Sequence, residues 1–80
     1  MNITYSRASV KVINSMDKAT KQRIKAGIEK IPQGDIKPLK GSPGTYRLRV
    51  GDRRILFSYP EENTILVEKI GPRGAVYKGV

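Results

Sequence analysis

Five residues of this 80-residue chain have side chains suited to holding and working on a phosphate: Arg47, Arg49, Arg54, Arg73 and Tyr77. Arginine presents a planar fork of donors that matches two phosphate oxygens at once, and it keeps its charge at any ordinary pH. A phenol titrates near ~10, and neighbouring guanidinium groups stabilise its anion, so Tyr77 could serve as a base. It could equally stack on a nucleobase or orient a ribose hydroxyl. Histidine and cysteine are absent. That excludes a histidine-pair ribonuclease mechanism, disulfides and thiolate metal sites. The few carboxylates form no cluster suited to a metal; Asp52 falls in one turn, and Glu61 and Glu62 in another. Neither a metal nor any other cofactor is expected.

The overall charge agrees with such a site. Lys and Arg number 16 against 7 Asp and Glu, a net charge of +9. A balance this basic suits a polyanionic partner, whether RNA, DNA or an acidic protein. The length fits one domain spanning residues 1–80, small enough that good packing or a partner must support it. No leader of basic then apolar residues occurs, and no apolar run approaches the ~18 residues of a membrane span. A soluble, cytoplasmic protein without membrane contact is expected.

The elements that must position these residues are legible from periodicity. Ile3 and Tyr5 alternate with polar residues as in a strand. Ser6 caps a first helix with Ser9, Val12, Ile13 and Met16 on one face, and Asp17 caps a second. There Ile24, Ile28 and Ile31 form an apolar stripe, and Pro32 ends the helix. The short linker implies a helical hairpin. The stretch PQGDIKPLKGSPGT reads as a loop, with Ile36 and Leu39 tucked toward the core. TYRLRV and RRILFSY follow as strands joined by Gly51-Asp52. After a turn at PEEN comes a last strand, Thr64 to Ile70, which Gly71-Pro72 should end in a sharp turn. The fold class is α+β, in the order β-α-α-β-β-β. A helical hairpin covers one face of a sheet whose last three strands form an antiparallel meander. Pattern alone does not assign a neighbour to the first strand.

A two-residue Gly-Asp loop fits a type II′ hairpin with glycine first. That register opposes Val50 to Arg53, Arg49 to Arg54, Leu48 to Ile55, Arg47 to Leu56 and Tyr46 to Phe57. Tyr46, Leu48, Val50, Ile55, Phe57 and Tyr59 then share one face, joined only at the hairpin end by Arg53, which can snorkel. The other face presents Arg47, Arg49 and Arg54. Like charges directly opposed, as Arg49 and Arg54 would be, weaken a sheet, and an anion between them relieves the cost. If the last strand pairs with RRILFSY, its end carries Arg73 and Tyr77 toward this arginine face.

The segments IKPLKGSPGTYRLRVGDRRILFSY and ILVEKIGPRGAVYK carry a family likeness in the LKG before the meander, the YRLRVGDRRI hairpin and the closing R…VY. On these the chain resembles the RelE/ParE superfamily of bacterial toxin–antitoxin toxins, and specifically the RelE branch. The resemblance spans essentially the whole chain. It implies a ribosome-dependent, metal-independent endoribonuclease that cuts mRNA in the A site, using the ribose 2′-OH as nucleophile. It assigns Arg47 and Arg49 to the basic positions of the first meander strand and Arg54 to the second. Arg73 and Tyr77 take the late arginine and the C-terminal tyrosine. Arg47, Arg49 and Arg54 would bind the mRNA phosphate, while Arg73, Tyr77 and Arg54 would be catalytic. Arginine stands at two positions where well-known members carry lysine. The resemblance also implies a cognate acidic antitoxin, contact with 16S rRNA in the ribosome, and DNA contact only through the antitoxin. A gyrase-poisoning toxin of the ParE branch and a non-enzymatic RNA-binding or ribosome-associated protein are the alternatives on the same residues.

Overall fold

The computed structural model describes residues 2–72. The elements run β1 (Asn2–Tyr5), α1 (Arg7–Asn14), α2 (Lys18–Glu29), β2 (Asp35–Pro38), β3 (Thr45–Val50), β4 (Arg53–Glu61) and β5 (Thr64–Pro72). The strands form one sheet in the order β1-β5-β4-β3-β2. The last four pair antiparallel, and β1 closes the far edge by pairing parallel with β5. Among the described residues no helix is long and apolar enough to cross a membrane.

Both helix starts follow the sequence reading. The Ser6 side chain accepts from the Ser9 N–H, and Asp17 accepts from the Thr20 N–H at 3.1 Å and its hydroxyl at 2.6 Å. These bonds satisfy orphan donors of each first turn. The Thr20 hydroxyl and then its N–H hold the Asp17 carboxyl below its ordinary value. Ile24, Ile28 and Ile31 are buried against Leu48, Ile55, Phe57, Ile65, Val67 and Ile70, so the helices cover one sheet face as expected. Gly27 lets α2 come close to β3. A Cβ there would stand 2.7 Å from a Val50 methyl, nearer than carbon atoms tolerate.

Three local expectations are corrected. The Pro- and Gly-rich loop contains a fifth strand, β2, because Ile36 is drawn onto the core beside Leu48. Leu39 lies beyond it, half-buried and outside the core cluster. The PEEN turn shrinks to two residues. β4 runs through Pro60 to Glu61, which pairs with Thr64, and Asn63 takes the left-handed φ of 61°. Gly71-Pro72 does not turn the chain either, since β5 stays extended and pairs Gly71 with Arg54 and Pro72 with Arg53.

One irregularity organises the centre of the sheet. Leu56 pairs with Lys69, but the next residue, Phe57, pairs with Val67, so β5 carries an extra residue at Glu68. Side chains alternate along a regular strand, and Val67 and Ile70, three apart, could not both face the helices. The bulge restores the parity, and both are buried in the core. Carbonyls beside the bulge are taken up by α1. Val67 O accepts from Ser6 N at 2.9 Å and Ser9 Oγ at 3.1 Å, and Glu68 O accepts from Ser6 Oγ at 2.8 Å. Ser9, fully buried, thus joins the apolar stripe as a hydrogen-bonding anchor.

Candidate nucleic-acid interface

The β3–β4 hairpin has the register read from sequence at every pair from Tyr46–Phe57 to Val50–Arg53. Gly51 has a φ of 60°, and Asp52 is not in the positive-φ region. One left-handed residue in first position is the signature of the type II′ turn. Tyr46, Phe57 and Tyr59 pack with ring centroids 5.6–5.7 Å apart on the helix side. Arg47, Arg49 and Arg54 share the opposite face.

Pairing across all four antiparallel strands arranges that face as two transverse rows. Nearest the hairpin tip lie Asp35, Arg49, Arg54 and Gly71; the next row is Lys37, Arg47, Leu56 and Lys69. Asp35 and Lys37 belong to β2, and their place beside the arginines was hidden while that segment read as a loop. The signal available in sequence was the alternation Asp35-Ile36-Lys37.

The three arginines differ in their freedom. Arg47 Nη2 donates to Asp35 Oδ1 at 3.3 Å, and its side chain is only 14% exposed. It also flanks Leu56, which is 2% exposed although it lies on the face away from the helices. Long basic side chains cover apolar surface with their stems. Arg47 is therefore committed to an ion pair and to packing as well as to any ligand. Among the described residues Arg54 Nη1 reaches only the neighbouring Arg53 carbonyl, at 3.4 Å. Arg49 is exposed and makes no hydrogen bond or ion pair with another described residue. Arg49 and Arg54, directly opposed, line an open depression of about 390 Å³ with Gly51 and Asp52. Among the described residues neither guanidinium makes an ion pair: Asp35, which opposes Arg49 across the strands, is paired with Arg47, and Asp52 at the rim stands nearest Arg53. An oxyanion seated between these guanidinium groups would take charge-assisted bonds from both and relieve their repulsion.

Arg73 and Tyr77, the remaining predicted site residues, lie outside the described residues. The condition attached to them does hold, since β5 pairs with β4 and its end stands beside Arg54 and Arg53. Tyr5 stands apart from the arginine face. Burial, and then the Glu29 carboxylate, push that phenol up, and Tyr5 packs on the helix side.

The architecture has a counterpart among solved structures. A chain of the RelB–RelE antitoxin–toxin complex from Methanococcus jannaschii superposes with a TM-score of 0.74 at 27% identity. The match covers 92% of this chain and 94% of that one. The fold is RelE-like. No family model matches the sequence, and no curated protein does. The RelE-like fold spans both the helical layer and the arginine face, so the likeness is one of whole architecture rather than of a shared hairpin.

Proposed function

We propose that this chain is the toxin of a type II toxin–antitoxin pair and that it cuts mRNA in the ribosomal A site. The observation that carries the proposal is the Arg49–Arg54 pair, opposed across a tight hairpin with its donors open to an anion. The likeness to a chain of an antitoxin–toxin complex supports the toxin half of the reading. In the reaction the 2′-oxygen attacks the adjacent phosphorus, the P–O5′ bond breaks, and a 2′,3′-cyclic phosphate and a 5′-OH result. Arg49 and Arg54 stabilise the charge that grows on the phosphorane, the term that usually dominates at such sites. Tyr77 takes the 2′ proton or positions that hydroxyl, and Arg73 clamps the phosphate or protonates the 5′-oxygen.

A site without a strong acid–base pair depends on the ribosome to align the mRNA in line. Little cleavage of free RNA is therefore expected. The partner is an acidic antitoxin whose charge complements the +9 of this chain.

Expression of the chain alone in a bacterium, with mapping of mRNA 5′ ends, tests the proposal. Growth arrest with breaks in A-site codons is expected, and Arg54→Gln, Arg73→Ala or Tyr77→Phe should abolish both. Arrest with a DNA-damage response and intact mRNA would replace this reading with gyrase poisoning. Undiminished A-site cleavage by Arg73→Ala and Tyr77→Phe would remove those residues from the chemistry.

A further inference from the structure

The hairpin tip is cationic on its other side as well. On the helix side a cavity of about 130 Å³ is lined by Thr20, Arg23, Val50, Gly51, Asp52 and Arg53. Arg53 arrives there because it opposes Val50 on the core side of the sheet, and Arg23 arrives from α2. Arg53 Nε is buried and has no hydrogen-bond partner among the described residues. Asp52 Oδ1 stands 3.9 Å away, too far to accept a bond, and the Asp52 side chain is 90% exposed to water. Arg23 leans over the turn, where a Cβ on Gly51 would lie 3.2 Å from its Nη2. It makes no hydrogen bond or ion pair with another described residue. A small hollow with two guanidinium groups and a buried N–H unpaired among the described residues calls for an acceptor, and an oxyanion would serve both guanidinium groups and the N–H at once.

Gly51 and Asp52 line this hollow and also the depression that holds Arg49 and Arg54. The tip is thus a thin partition, one turn thick, with a pair of arginines on either side. We infer that the helix-side hollow is a second phosphate site, held by Arg23 and Arg53, for the same RNA strand that lies on the arginine face. A phosphodiester backbone carries a charge at every nucleotide, so a strand passing around the tip meets one arginine pair and then the other. Arginine forks match phosphate oxygens in pairs, and Gly51, lacking a side chain, leaves the Arg23 guanidinium room at the turn. The inference rests on the RNA-binding part of the proposed function.

Binding of a fluorescein-labelled single-stranded RNA 12-mer, followed by anisotropy over a KCl series, tests it. Each phosphate contact on a single strand contributes about 0.7 to the slope of log K against log salt. Arg23 is exposed on α2, so Arg23→Gln should keep the fold, which circular dichroism checks. Arg23→Gln should weaken binding and flatten the slope by about 0.7, Arg49→Gln should do the same, and the double variant should lose both contributions. If Arg23→Gln matches the wild type while Arg49→Gln weakens binding, the helix-side site is overturned and the arginine face stands. The opposite result keeps the helix-side site and removes the arginine face. If Arg23→Gln keeps RNA affinity but loses affinity for a polyglutamate peptide, the hollow takes a protein carboxylate and the inference fails.

Discussion

The two faces of this sheet are built from the same strands and obey opposite rules. On the helix side the rows Ile36–Leu48–Ile55–Ile70 and Tyr46–Phe57–Val67 close over by packing. On the other side, one residue along each strand, the rows Asp35–Arg49–Arg54–Gly71 and Lys37–Arg47–Leu56–Lys69 are charged at every position but Gly71 and the buried Leu56. The first face is stabilised by what it excludes. The second is weakened by what it gathers, because opposed like charges cost the sheet stability. Apart from Arg47, which also packs beside buried Leu56, and the hairpin tip, where Arg53 lies on the helix side, stability and ligand binding are thus separated by the pleat of a strand, and most single substitutions should fall on one side or the other.

The largest effect should come from Phe57→Ala. It removes a fully buried ring and should cost about 3–5 kcal/mol, much of the stability of a small domain, as measured by urea unfolding. Next comes Ser6→Ala, which removes the α1 cap and leaves the Glu68 carbonyl without its hydroxyl donor; a loss of about 1–2 kcal/mol in the same assay is expected. A loss as small as that of an ordinary surface change would show that α1 does not depend on the bulge. Gly27→Ala should be destabilising by about 1 kcal/mol although alanine is the better helix former, because its methyl meets Val50. Adding Val50→Ala should reverse the sign and isolate the contact. Smallest is Arg49→Gln, which should change stability by less than about 0.5 kcal/mol, and toward greater stability. A loss there on the scale of Phe57→Ala would break the division between the faces.

Most of the fold was legible because the local signals agreed with one another. Ser6 and Asp17 cap, Ile24, Ile28 and Ile31 keep a helical period, and Gly51-Asp52 specifies both turn type and register. What escaped was set by partners distant in sequence. Asp35–Pro38 has two prolines near it and reads as loop, and only the open edge of β3 makes it a strand. The bulge at Glu68 left a trace in the spacing of Val67 and Ile70, since an odd spacing of two core residues breaks the alternation of a strand. Of the site, the arginine face was visible from hairpin parity alone. The pairing of Arg47 with Asp35 was not, because it follows from β2. Nor was the helix-side hollow, which depends on where α2 sets Arg23.

The parallel contact of β1 with β5 has a consequence for the order in which this molecule can come into being. β5 stands between β1 and β4, and α1 hangs on its Val67 and Glu68 carbonyls. β1 and α1 therefore have no seat until β5 has been translated. Contacts of such long sequence separation form late, because the intervening loop must close first. A nascent chain of this protein carries its helices and its arginine hairpin before it owns a finished sheet, and this domain becomes whole only once β5 has been made.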